Sequence, residues 1–153
     1  MTLVSTATAP HAARLDPATY PIHDTIGARY GDMDANGHLN NLALEALHEN
    51  ARATLNVGIF PEAYARDDRR LRIVTASNVV HFLREAHWPN MIHTRTGIGR
   101  IGRTSYVAST ALFVDGTCVG LCDAVLVVLD HDGPTPIPAA ARERLTELLL
   151  PTE

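Results

Sequence analysis

Asn40-Asn-Leu-Ala-Leu-Glu-Ala-Leu-His-Glu-Asn-Ala-Arg-Ala-Thr-Leu-Asn-Val-Gly58 decides the fold. Leu42, Ala43, Leu44, Ala46, Leu47, Ala51, Ala53, Leu55 and Val57 carry apolar side chains most of the way around a helix. A helix apolar on several sides is normally enclosed by other structure. Asn40 or Asn41 supplies a good N-cap. Gly58 suits the residue that follows a helix, and Pro61 blocks simple continuation. The stretch therefore predicts a helix from Asn41 to about Val57 that other elements surround. Glu49 and Arg52 are spaced for an i,i+3 ion pair on it.

Just upstream stands Arg29-Tyr-Gly-Asp-Met-Asp-Ala-Asn-Gly-His-Leu-Asn-Asn41. It packs two acids, a histidine and three asparagines into a short turn before the helix. A carboxylate held there can act as nucleophile or general base. The free N–H groups of the helix end can stabilise an oxyanion, and the pairing suits acyl transfer. Asp34 is the candidate catalytic acid and Asp32 its structural neighbour. On composition alone, an Asx-turn residue that organises the loop is the favoured reading of Asp34. His38 can hydrogen-bond a substrate carbonyl or orient a loop carbonyl. Asn36 can position water or Asp34. Asn41 can cap the helix and fix the loop or substrate.

Downstream the chain becomes a run of strands. Arg72 to Leu83, Met91 to Ile101, Arg103 to Val114 and Thr117 to Asp130 are divided by Pro89-Asn90, Gly102 and Asp115-Gly116. The last is a two-residue hairpin signal, and short links favour antiparallel neighbours. Thr25 to Tyr30 reads as a short strand before the turn. Pro138 can open a last helix to Leu150, with Ala141, Leu145 and Leu148 on one face. The economical packing is one antiparallel sheet curled around the helix, and its exposed edges favour a dimer. Residues 1–20 read as a flexible N-terminal tail and residues 21–153 as a single domain.

Composition narrows the function. The chain has 153 residues, 46% apolar and 20% charged, with a formal charge of −4, which disfavours nucleic acid as partner. The longest plain apolar run, Ala124 to Leu129, is far short of the roughly 20 residues a spanning helix needs. The N-terminus lacks the basic leader and apolar core of a signal peptide, so a cytoplasmic location is expected. Cys118 and Cys122 sit roughly 13 Å apart along a strand, too far to bridge each other. No His-Glu-x-x-His or Cys/His cluster marks a metal site, and no Gly-x-Ser-x-Gly elbow marks a serine hydrolase.

Tyr30-Gly-Asp-Met-Asp-Ala-Asn-Gly-His-Leu-Asn-Asn41, with Glu49-Asn-Ala-Arg52, resembles the hotdog-fold acyl-CoA thioesterases of the 4-hydroxybenzoyl-CoA thioesterase type. Val80-His-Phe-Leu-Arg-Glu-Ala-His-Trp-Pro89 and Ile101-Gly-Arg-Thr-Ser-Tyr106 look like that family's second and fourth strands. The likeness covers about residues 26–138. It implies an α+β hotdog fold, an antiparallel five-stranded sheet wrapped around a long central helix. It implies homodimers or homotetramers with active sites between subunits, no cofactor, and acyl-CoA as substrate. Asp34 corresponds to the family's catalytic acid, and backbone N–H groups polarise the thioester carbonyl. Arg103 is placed like basic residues that meet coenzyme A phosphates. Leu44 and Leu47 are candidates to line the acyl pocket. Leu44 and His48 stand where family members often carry Tyr and Phe.

Three other readings compete. An acyl carrier protein can replace coenzyme A as donor. The fold also hosts acyl-CoA binding modules without turnover. It hosts enoyl-thioester hydratases too, but their Asp-x-Asn-Pro-x-His string differs from the spacing of Asp34 and His38, and its Pro is missing here.

Overall fold

The computed structural model describes residues 8–152. Helix α1 runs Asn41–Ile59. Asn40 is its N-cap, extended at φ −73°, ψ 162°, with its side-chain oxygen accepting the Ala43 N–H at 2.7 Å. The helix does not stop before Gly58. It continues to Ile59, and the Phe60 N–H still reaches the Asn56 carbonyl at 2.8 Å. Ile59 and Phe60 are both buried, so packing draws the last turn inward until Pro61 ends it.

Six strands form one antiparallel sheet among the described residues: β1 (Ile22–Gly27), β2 (Arg72–Phe82), β3 (Met91–Ile101), β4 (Ser105–Val114), β5 (Thr117–Asp130) and the short β6 (Gly133–Pro134). The order is β1-β3-β4-β5-β2, with β6 against the end of β5. At the tight β4–β5 turn, Asp115 and Gly116 take φ +48° and +79°, the positive pair a type I′ hairpin requires. β2 does not neighbour β3 as its short link suggests. It pairs with β5, Val80 opposite Cys122, and forms one edge of the sheet. The connection 83–90 is long enough to cross the sheet end instead. The Leu83 and Arg84 N–H groups bond the Val119 carbonyl, and the Ala86 carbonyl accepts the Leu39 N–H at 2.7 Å. β1 also starts and ends earlier than its apolar pattern implies. Arg29 and Asp32 close a 3₁₀ turn over Tyr30–Asp32 that takes Tyr30 out of the sheet.

The sheet curls around α1. Tyr106, Ala108, Thr110 and Leu112 alternate along β4 toward the helix. The buried face of α1 carries Leu44, Ala51, Leu55 and Ile59, but also His48, Arg52 and Asn56. Each polar side chain finds a partner on the sheet. His48 Nδ1 meets Thr110 Oγ1 at 2.7 Å, Arg52 Nη1 donates to Cys122 Sγ at 3.5 Å, and the Tyr106 hydroxyl donates to Asn56 Oδ1. Arg52 therefore turns inward rather than pairing with Glu49, which is exposed. The outward face leaves Leu42 and Val57 at 77% and 51% exposure. Within one chain the helix is thus covered on one side only, not surrounded as its apolar content suggests.

The second helix, α2, covers Ala139–Glu147 with Ala141 and Leu145 buried beside Phe60. It stops short of Leu150 because residues 148–150 run beside β3, exchanging backbone hydrogen bonds with Ile98. Residues 8–20 lie against the outer face of the sheet in 3₁₀ turns at Ala12–Leu15 and Pro17–Thr19. Arg14 donates to both carboxylate oxygens of Asp123 at 2.9 and 3.0 Å, and Tyr20 is 2% exposed against Phe113. The remainder of the expected tail, 1–7, lies outside the described residues. Among the described residues no helix is long and apolar enough to cross a membrane.

Candidate active site

Residues 33–39 form a tight hairpin directly ahead of α1. Met33 and Leu39 make an antiparallel bridge. The Asp34 N–H donates to the His38 carbonyl and the Gly37 N–H to the Asp34 carbonyl, both at 3.0 Å. Gly37 stands at φ +80°, a conformation that favours glycine. Leu39 anchors the hairpin in a cluster with Leu44, Ala86, Ile92, Leu112 and Val119. The Asn40 N–H reaches back to the Asp32 carbonyl at 2.9 Å.

The two acids of the turn differ in what they hold. Asp32 accepts from Arg29 Nε at 3.1 Å and Nη2 at 2.8 Å. Those hydrogen bonds hold its carboxyl below the usual carboxylate range. Its charge is engaged by a neighbour. Asp34 spends one oxygen on the turn, Oδ1 accepting the Asn36 N–H at 2.8 Å. Its Oδ2 has His38 Nδ1 at 4.0 Å, beyond hydrogen-bond range, and the side chain is 30% exposed. The Asx-turn reading and the catalytic reading are thus compatible, because they use different oxygens.

His38 Nδ1 lies 3.2 Å from the Leu39 carbonyl. A carbonyl only accepts, so Nδ1 carries the hydrogen. Its Nε2 is 4.0 Å from Glu85 Oε1, and the same carboxylate presents Oε2 to His87 Nε2 at 3.9 Å. Asn41 is the first residue of α1, and its side chain is exposed. The first amides of the helix, those of Asn41 and Leu42, have no intrahelical acceptor. Asn36 contributes its backbone N–H, and its side chain is exposed. Leu44 is buried in the cluster beneath the hairpin and Leu47 packs half-buried against it.

Arg103 is not part of this group within one chain. It sits in the β3–β4 turn, where its carbonyl accepts the Ile137 N–H at 2.9 Å. That turn lies at the Phe60 end of α1, and the 19-residue helix is about 28 Å long. Arg66, Arg69, Arg70 and Arg72 follow the same end, and Arg70 pairs with Asp68 at 3.3 Å. Glu85 and His87 also flank the hairpin, and sequence reasoning did not place them there. Their signal was the polar Arg84-Glu-Ala-His87 stretch beside Pro89, where an alternating strand should already have ended.

Two cavities lie elsewhere. One of about 940 Å³ on the outer face is lined by Arg14, His81, Arg100, Ser109 and Asp123. One of about 450 Å³ lies between α1, α2 and β3, lined by Leu55, Thr94, Thr96 and Arg144. Neither includes Asp34. Among the described residues no three His, Cys, Asp or Glu side chains are grouped to hold a metal ion.

Comparison with known proteins agrees with this architecture. Several solved structures share the fold. The PA5185 protein of Pseudomonas aeruginosa strain PAO1 is 21% identical with a TM-score of 0.80, covering 91% of this chain and 99% of its own. A predicted thioesterase from Bacillus stearothermophilus is 24% identical with a TM-score of 0.77, covering 86% and 98%. A thioesterase from Thermus thermophilus, solved with coenzyme A and zinc, is 26% identical with a TM-score of 0.74, covering 82% and 98%. No curated protein matches the chain in sequence. The sequence pattern of the thioesterase-like superfamily, however, matches residues 28–145, from just after β1 through most of α2. The chain belongs to that superfamily, and it is an enzyme that hydrolyses thioesters.

Proposed function

We propose that the chain hydrolyses an acyl-CoA thioester to the free acid and coenzyme A, with Asp34 as the catalytic carboxylate. The observation that carries this reading is the division of labour within one side chain. Oδ1 of Asp34 is fixed by the Asn36 N–H, while Oδ2, on a side chain 30% exposed, takes no hydrogen bond. A group anchored at one oxygen and open at the other is oriented without being neutralised.

Two routes use it. Oδ2 can attack the thioester carbon, expelling the coenzyme A thiolate and leaving a mixed anhydride that water cleaves. Alternatively it takes a proton from a water that attacks the same carbon. In both, the Asn41 and Leu42 amides at the positive end of α1 are the donors for the developing oxyanion. A thiolate leaves without a metal or an acid to help it.

A second copy of the chain completes the site in this reading. β2 is a sheet edge that exposes Val74, Val79 and Phe82, and a two-fold pairing of β2 strands would continue the sheet. Antiparallel pairing sets the Phe60 end of one subunit beside the hairpin of the other. Arg103 of one chain could then meet the phosphates of a coenzyme A held at Asp34 of its mate.

The test is thiol release from short, long and aromatic acyl-CoAs, each beside the matching acyl carrier protein thioester. Turnover of at least one acyl-CoA, with slower cleavage of the carrier-bound form, supports the reading. Tight acyl-CoA binding with no release, or cleavage only from the carrier protein, overturns it.

A further inference from the structure

The hairpin that holds Asp34 is closed on itself by the bonds between Asp34 and residues 37 and 38. Its attachment to the 83–90 connection is a different matter. The Leu39 N–H donates to the Ala86 carbonyl at 2.7 Å. Nearer the tip of the turn, His87 Nδ1 lies 3.0 Å from the Gly37 carbonyl. A carbonyl cannot donate, so the His87 ring supplies the hydrogen, and it does so whether the ring is neutral or charged. His87 is itself held: its N–H donates to Asn90 Oδ1 at 3.0 Å, and the Asn90 N–H returns to the His87 carbonyl at 2.9 Å.

We propose that His87 is a positioning residue for Asp34: its ring N–H, donated to the Gly37 carbonyl, pins the apex of the hairpin so that the open oxygen of Asp34 faces the thioester. The proposal rests on the reading of Asp34 as the catalytic acid. The backbone bond from Leu39 secures only the base of the hairpin. The apex, at a glycine with no side chain to pack, depends on the ring. Glu85 and His38 face the same ring, Glu85 Oε2 at 3.9 Å from Nε2 and His38 edge-on at 6.4 Å between centroids. Neither reaches the Nδ1 bond. His87 is 51% exposed at the side chain, and Ala86 beside it is buried, so removing the ring leaves the core anchor in place.

The experiment measures kcat and KM on the best acyl-CoA for the parent, His87→Ala, His87→Asn and His87→Gln, and for His87→Ala combined with Asp34→Asn. An asparagine amide nitrogen falls near the position of Nδ1 and can restore the bond; a glutamine amide falls near Nε2 and cannot. The expected result is a kcat loss of about tenfold or more in His87→Ala, the scale of a misplaced catalytic group, with KM within about twofold. His87→Asn recovers most of the rate and His87→Gln does not. In the Asp34→Asn background, His87→Ala costs less than about twofold, because the two act as one unit. Parent-like kcat in His87→Ala overturns the proposal. So do equal losses in the Asn and Gln variants, or losses that multiply fully with Asp34→Asn. Failure of the Asp34 reading shows separately, as undiminished turnover in Asp34→Asn alone.

Discussion

At its C-terminal end α1 runs into Phe60, fully buried and stacked on Tyr106 at 5.6 Å, with the Tyr106 hydroxyl bonded to Asn56 beneath. At its N-terminal end the same helix opens from a hairpin in which Asp34 keeps one oxygen without a hydrogen bond and two histidines face one glutamate at about 4 Å. The first end buries its rings and gives the Asn56 amide oxygen a partner. The second leaves two carboxylates and two imidazoles about 4 Å apart, beyond hydrogen-bond range. One helix thus joins a packed end to the end that carries the proposed catalytic carboxylate. Changes at one end should register as unfolding free energy, and changes at the other as turnover.

The sharpest way to break that division is Phe60→Ala. Removing a fully buried ring from the stacked pair should cost about 3–5 kcal/mol in urea unfolding, with kcat of the folded fraction unchanged. A fall in kcat that exceeds the loss of folded protein would show that the two ends are coupled.

Next in size is the acid limb of stability. Burial, and secondarily the charge of Arg52, push the His48 imidazole down to about 3. The unfolded chain takes up a proton below about 6.5 that the folded chain refuses until about 3. Stability is therefore undiminished above pH 6.5 and falls by about 1.4 kcal/mol per unit as pH drops through that window. Unfolding midpoints measured from about pH 7 to 4 should show this slope, and His48→Gln should flatten it.

Arg103→Ala tests whether the far end of one subunit serves the near end of another. If it does, KM for acyl-CoA rises severalfold with kcat unchanged, a loss of about 1 kcal/mol of uniform binding. The effect should vanish with an acyl-pantetheine donor that lacks the nucleotide. The smallest effect is the inertness of the thiols. Burial raises Cys118 to about 11 and also raises Cys122, so a disulfide reagent at about pH 8 should modify neither until the chain unfolds.

Much of this arrangement was legible in the sequence where the signal is local. β3 and β5 begin and end at the residues their Val, Ile and Thr content marks, and Asp115-Gly116 makes the hairpin its residue types require. The Asn40 cap and the hairpin before α1 are equally local. The pairing of β2 with β5 was not legible, because an eight-residue link permits either neighbour and only the curled sheet chooses. The inward face of α1 was not legible for a related reason. His48, Arg52 and Asn56 look solvent-facing by type, yet each meets a polar atom on β4 or β5 that lies far along the chain. In the candidate site, Asp34 and His38 come from one string and stand 4.0 Å apart. Glu85 and His87 come to the hairpin only through the path of the 83–90 connection, which the polar stretch 84–87 marks as a loop without fixing where it runs.

The most direct test of the account is Asp34→Asn, with turnover and unfolding measured on the same preparation. The amide keeps an oxygen for the Asn36 N–H and loses only the charge at the open position. Turnover should fall by at least about a hundredfold while the urea midpoint stays where it was. An amide variant that cleaves acyl-CoA as fast as the parent would contradict the account.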